Sequence, residues 1–179
     1  MRRRNATWLA AVALGAIGLI ACGDSGPATF EEDGFPFTFE YPDGFEVSDD
    51  PTFSQNLGGE SDETVAVAVN DDNGIVLQKF TLRAEVDQTN LSVAKDEIDG
   101  LIAGVDADAQ GGEAGETAGF PSLEYGLVKL TTPEDGESRI LFLFEGDQEY
   151  VLNCQSTPDE REEIAAACDR MLETVAPAD

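Results

Sequence analysis

Three cysteines, 37 carboxylates and no histidine set the chemical repertoire of this 179-residue chain. Without imidazole there is no Ser-His-Asp or Cys-His nucleophile, no histidine-held zinc and no side chain that titrates unaided near neutral pH. Cys22 stands directly after Leu19, Ile20 and Ala21 at the end of an apolar run, where a free thiol beside a small residue suits covalent modification and cleavage. Cys154 and Cys168 suit oxidation to a bridge. The carboxylates offer two further chemistries. Asp106-x-Asp108-x-Gln110-Gly111 has the first half of a calcium loop, although Thr117 holds the place of the closing glutamate and leaves Glu113 and Glu116 as substitutes. Asp71, Asp72 and Asn73 form a second acidic turn. Paired carboxylates could also serve a hydrolase as acid and base. Among 37 acids some pair is always near, so spacing alone singles out none.

The setting of Cys22 is the most specific signal. Arg2, Arg3 and Arg4 precede an apolar stretch from Ala6 to Ala21 that is a little short for a bilayer span of roughly 20 residues. A basic start, an apolar middle and Leu19-Ile20-Ala21-Cys22 followed by Gly23 resemble the type II signal peptide of bacterial lipoproteins, the last four residues being its lipobox. The resemblance implies a diacylglyceryl thioether and further acylation (palmitate) on Cys22, cleavage before it, and a place on the outer face of the cell membrane. Acyl chains contribute about 0.8 kcal/mol per buried CH₂, so two or three hold a protein stably. An ordinary secretory signal or an uncleaved N-terminal anchor is the alternative, with Cys22 there by chance.

Residues 1–21 are thus a cleaved leader, 22–33 a flexible tether and 34–177 one domain. All 37 acids lie after the leader, against seven bases: Lys79, Arg83, Lys95, Lys129, Arg139, Arg161 and Arg170. A formal charge of −30 repels nucleic acid and anionic headgroups and favours cations or a basic partner. Solubility or a salty habitat explains the same acidity without any dedicated face. The one tryptophan, Trp8, leaves with the leader. No cofactor is expected.

The elements alternate in kind. Phe35, Phe37, Phe39 and Tyr41 line one face of a strand, Pro42-Asp43-Gly44 turns, and Phe45-Glu46-Val47 resumes extended. Residues 49–63 read as a loop. Thr64 to Asn70 alternates valine against alanine, leaving an alanine face on which a helix could lie close. Asp72-Asn73-Gly74 reads as a type I′ hairpin turn into Ile75 to Arg83. A helix follows from Leu91 to Val105, capped by Asn90, with Leu91, Ala94, Ile98, Leu101, Ile102 and Val105 inward. Gly100 and Gly104 weaken it or admit close packing. Residues 106–119 read as a loop or ragged strand. Pro121 to Thr132 ends at Pro133-Glu134-Asp135-Gly136. Ser138 to Glu145 is apolar on both faces, as a central strand is, and Gly146-Asp147 turns it into Gln148 to Gln155. Thr157, Pro158 and Glu160 then read as N-cap, first turn and capping box of a last helix with Ile164, Cys168, Met171, Leu172 and Val175 inward. Tyr150, Leu152 and Cys154 share a face, so Cys154 and Cys168 meet in one helix–sheet gap at similar depth. Two buried free thiols are the alternative.

Phe37-Thr38-Phe39-Glu40-Tyr41-Pro42-Asp43-Gly44-Phe45-Glu46-Val47 resembles the start of PsbP-like domains. Tyr150-Val151-Leu152-Asn153-Cys154 followed by a helix with Cys168 is similar to the LpqN-like actinobacterial lipoproteins of that fold. The resemblance spans residues 34 to 176. It implies an α+β fold, an antiparallel sheet flanked by helices in an α/β/α sandwich. It also implies the work of an accessory or binding subunit, as in photosystem assembly, small-GTPase partnering and the cell envelope. It carries over no site residue. The expectation is a lipid-anchored, non-enzymatic binding domain whose partners are the membrane, through its anchor, and an envelope protein or small ligand. Nucleic acid is not a partner. Divalent cation binding by the acidic loops (Asp106, Asp108, Glu113) and a carboxylate hydrolase are the alternatives.

Overall fold

The computed structural model describes residues 26–49, 60–130 and 135–178. The leader, the lipobox residues Leu19, Ile20 and Ala21, Cys22 and the start of the tether lie outside the described residues. So do Gly58-Gly59 and Pro133-Glu134. The strands are β1 (Ala28–Phe30), β2 (Phe37–Tyr41), β3 (Glu46–Ser48), β4 (Glu63–Asn70) and β5 (Asn73–Val86), then, after helix α1 (Leu91–Val105), β6 (Glu113–Thr117), β7 (Phe120–Lys129) and β8 (Glu137–Ser156). Helix α2 (Arg161–Thr174) and the short β9 (Ala176–Pro177) close the chain. The main sheet has the order β3-β4-β5-β8-β7-β6, with every pair antiparallel. A small sheet runs β1-β2-β9.

The 20 residues of β8 would reach roughly 66 Å if straight. Yet Glu137, at its start, is ion-paired at 2.7 Å with Arg161, just past its end. β7 pairs with the first half, Glu137 to Leu143, and β5 with the second, Gly146 to Gln155. The inward residues also switch parity midway: Leu141 and Leu143 share a core with Tyr150, Leu152 and Cys154, and Phe142 and Phe144 share the opposite one with Val151. β8 therefore doubles back at Gly146-Asp147. Gly146 has φ +61°, the glycine-first geometry of a type II′ hairpin.

One face of the sheet carries α2 together with the small sheet. Phe30, Phe35, Phe37, Phe39 and Tyr41 pack there with Ile164, Ala167, Cys168 and Met171. Phe30 stacks on Phe39 at 4.8 Å, and Phe37 meets Tyr150 edge-on at 5.6 Å. The other face carries α1, whose Leu91, Ile98 and Ile102 cover Leu123, Tyr125, Ile140, Phe142 and Phe144. The arrangement is the expected α+β sandwich, with one outer layer part helix and part sheet.

Several local expectations are corrected. The tether was expected to run to residue 33, but Ala28–Phe30 already pairs with β2 and Phe30 is buried, because its ring completes the aromatic layer. The hairpin after β4 is centred on Asp71-Asp72, with Asn70 opposite Asn73 and Asn70 Oδ1 accepting from the Asp72 amide at 3.0 Å. Gly74 is needed for proximity instead of a positive φ: a Cβ there would sit 2.6 Å from the Val67 carbonyl oxygen. Asn90 makes no side-chain cap. Its Oδ1 accepts from the Asp87 amide and its Nδ2 donates to the Glu85 carbonyl, which folds the β5–α1 turn. Thr157 lies ahead of α2, because its amide and hydroxyl both donate to the buried Asn73 Oδ1, at 2.6 and 3.0 Å, and the helix begins at Arg161. Nothing lies within 4 Å of a Cβ built at Gly100 or Gly104, so these glycines weaken α1 without serving close packing. α1 packs on β7 and β6, not on the alanine face of β4.

Cys154 and Cys168 are joined, with Cα atoms 5.9 Å apart. The bridge fastens α2 to β8, and the other side of the helix is held to β2: Arg170 is ion-paired with Glu40, and Thr174 Oγ1 accepts from the Glu40 amide at 2.9 Å. The cross-link closes a loop with a sequence separation of 14. Removing it with Cys154→Ala and Cys168→Ala together is expected to cost about 3 kcal/mol on the chain-entropy account. Urea denaturation monitored by circular dichroism reads this as a lower midpoint. An unchanged midpoint would show that the bridge contributes nothing.

Candidate functional site

Helix α1 is held at one side by a half-buried polar anchor. Asp99 receives Lys95 Nζ at 2.5 Å and the Tyr125 hydroxyl at 2.6 Å, and the Gly112 amide donates to it at 3.2 Å. The Lys95 ammonium first, then the Tyr125 hydroxyl, hold the Asp99 carboxyl below its ordinary range. Burial and the neighbouring Asp99 raise the Tyr125 phenol. Gly112 is the residue that admits this contact, since a Cβ there would meet the Tyr125 ring at 2.5 Å. The anchor draws α1 toward β7 and β6 and away from the outer half of β5.

The result is a groove of about 620 Å³ between α1 and β5. Its floor is Phe80, Leu82, Phe142 and Val151, and its helical wall is Val93, Ala94, Glu97, Ile98 and Leu101. Leu101, expected inside, is 46% exposed, and Val93 is 62% exposed. Only four large apolar side chains are exposed among the described residues, and two of them face this groove. Charge on the lining is one-sided: Glu60, Asp62, Glu85, Glu97 and Glu149 against Arg83. Glu149 stands half-buried on the same face of β8 as Val151. Burial, and next the Glu97 carboxylate, push its carboxyl up to about 7.

A second cavity, of about 540 Å³, opens between α2, β7 and the start of β8. Its lining carries Glu113, Glu124, Glu137 and Asp169 against Arg139 and Arg161. Arg139 bridges Glu124 and Asp169 at 2.7 and 2.6 Å, and Arg161 takes Glu137. Leu127, 69% exposed, stands at its rim, and the bridged cysteines form its floor. Ser138 Oγ, both polar atoms of Asn153 and Gln155 Oε1 are buried without hydrogen-bond partners among the described residues.

The acidic candidates from the sequence do not converge. Asp106 spends both oxygens on the backbone, Oδ2 accepting from the Lys129 amide at 2.9 Å and Oδ1 from the Asp108 amide at 3.0 Å. Those bonds, Lys129 first, lower its pKa. Glu113 lies away on the edge strand β6. Among the described residues no three cysteine or carboxylate groups gather as a metal site. Asn73, from the second acidic turn, is a structural acceptor for Thr157. Sequence reasoning missed Glu97 and Glu149. The second was readable: if Tyr150, Leu152 and Cys154 face one core, then Glu149 shares the opposite face with Val151.

No family model and no curated sequence matches the chain. Solved structures share its architecture, two of them over most of its length. The cyanobacterial PsbP (CyanoP) of Synechocystis superposes with a TM-score of 0.55 at 10% identity, covering 93% of this chain and 98% of that one. LpqN of Mycobacterium tuberculosis, involved in cell envelope biogenesis, superposes with a TM-score of 0.53 at 13% identity, covering 87% and 94%. The fold is PsbP-like. At such identities the likeness is one of architecture, so the groove has to be argued from its own residues.

In this PsbP-like domain Glu149 has a testable signature. A carboxyl whose folded pKa lies above its unfolded value supports folding fully below the unfolded value, and that support is lost as pH rises through about 7. Glu149→Gln is therefore expected to be the more stable protein at pH 8, by on the order of 1–3 kcal/mol, and to match the parent near pH 4. Thermal melts across that range check it. Parallel curves for the two proteins would contradict the placement of Glu149.

Proposed function

We propose that this PsbP-like domain is a non-enzymatic binding or accessory module on the outer face of the bacterial cell membrane. In this reading it is held there by acyl chains on Cys22, and it takes its partner, an envelope protein or small ligand, in the α1–β5 groove. The observation that carries the proposal is the pairing of exposed Val93 and Leu101 with a one-signed carboxylate lining in a single concavity. Exposed apolar side chains grouped beside a cleft mark contact sites more often than chance surface does. The leader ending in Leu19-Ile20-Ala21-Cys22 supports the location, as does the envelope role of LpqN.

A carboxylate hydrolase is the second reading, favoured by Glu149 alone, which would be the acid opposite Glu97. Glu149→Gln would then abolish turnover, which a binding module does not have.

The binding reading is tested in the native cell with two variants. Cys22→Ser is expected to shift the protein from the membrane fraction to the soluble one. A photo-crosslinking residue at Val93 is expected to trap a discrete neighbour, and one at Leu127 is not. Membrane retention by Cys22→Ser, or equal trapping from both positions, would count against the anchor or the groove respectively.

A further inference from the structure

Val93, Glu97 and Leu101 stand at i, i+4 and i+8 on α1, one stripe of the helix spanning roughly 12 Å. This stripe is separate from the buried one of Leu91, Ile98 and Ile102. It presents an aliphatic contact at each end with a carboxylate between them. Across the groove lie Leu82 and Phe80 on β5 and Glu149 on β8. We infer that the groove takes a basic, apolar polypeptide segment of an envelope protein, its aliphatic or aromatic side chains on Val93, Leu101 and Leu82 and its lysine or arginine between Glu97 and Glu149.

The inference rests on the reading of this groove as the binding face, and charge and size narrow the occupant. An acidic or neutral segment would bury the Glu97 and Glu149 carboxylates without bringing a counter-charge, which is unfavourable. A cation between them offsets, by direct attraction, both the burial and the like-charge repulsion that act on Glu149. A volume of about 620 Å³ accommodates several side chains of such a segment. The cavity beside α2 has a weaker bias, because three of its four acids, Glu124, Glu137 and Asp169, are already paired with Arg139 and Arg161.

The test uses the full-length chain in a non-ionic detergent and a fluorescent, amphipathic leucine–lysine peptide. Anisotropy is read at about 0.3 M salt, where exposed charges are screened beyond roughly 6 Å. The pair Val93→Asp and Leu101→Asp, and separately the pair Glu97→Gln and Glu149→Gln, are each expected to weaken binding at least tenfold. Leu127→Asp, an exposed control, is expected to stay within twofold. A leucine–glutamine peptide should bind at least tenfold more weakly than the lysine version. Circular dichroism confirms that each variant is folded, which the exposure of Val93 and Leu101 favours.

Attraction to the overall acidic surface would make every aspartate variant bind as tightly as the parent or tighter, and that result would overturn the inference. Equal binding of the glutamine peptide would overturn it too, as would full displacement by a simple cationic amphiphile such as dodecylammonium. If the Val93 crosslink traps a partner through an acidic or neutral segment, the inference fails while the groove remains the binding face. If that position traps nothing, the underlying reading fails as well.

Discussion

A hairpin that is apolar on both faces dictates the rest of this molecule. β8 puts Leu141, Leu143, Tyr150 and Leu152 to one side and Ile140, Phe142, Phe144 and Val151 to the other. At about 25 cal/mol per Å² of apolar surface, neither face can be left in water, so the sheet needs a layer on each side. The aromatic wedge of β1 and β2 and helix α2 supply one, α1 the other. The two layers are fixed by different means. A covalent cross-link and contacts to β2 hold α2 on both flanks. α1's own apolar stripe, the Asp99 anchor and the bond from the Lys129 amide to Asp106 at its C-terminal end hold the opposite layer, and both polar contacts sit toward β7.

That asymmetry produces the groove. A helix pinned off-centre covers the β7–β8 side of its face and leaves β5 partly bare. Phe80 and Leu82 stay only partly buried, and Val93 and Leu101 are exposed across the gap from them. Carboxylates line the gap, so the groove is apolar and anionic at once. On a chain of formal charge −27 acidity alone means little. Its coincidence with uncovered aliphatic side chains is what distinguishes this place from the rest.

Much of the architecture was legible from period and turn chemistry. The bounds of α1 followed from Leu91 to Val105, the doubled β8 from Gly146-Asp147 between two apolar runs, and the disulfide from parity along Tyr150, Leu152 and Cys154. Long-range partners defeated the local rules. Asn73 drew Thr157 off the helix start, and Phe30 was drawn into a layer formed by residues far along the chain. Asn90 turned back onto Asp87 and Glu85 in place of capping. The groove was invisible for the same reason. Whether Leu101 lies in or out depends on where Asp99 finds Tyr125, a contact 26 residues away that no helical periodicity records.

Hydrogen exchange on the protein in native envelope membranes, set against the same protein purified in detergent, addresses the groove most directly. Occupation of the gap predicts added protection at residues 93–101 of α1 and 80–86 of β5 in the membranes, with the α2 cavity unchanged. Identical exchange in the two preparations, or protection gained only around Leu127 and α2, would contradict the account.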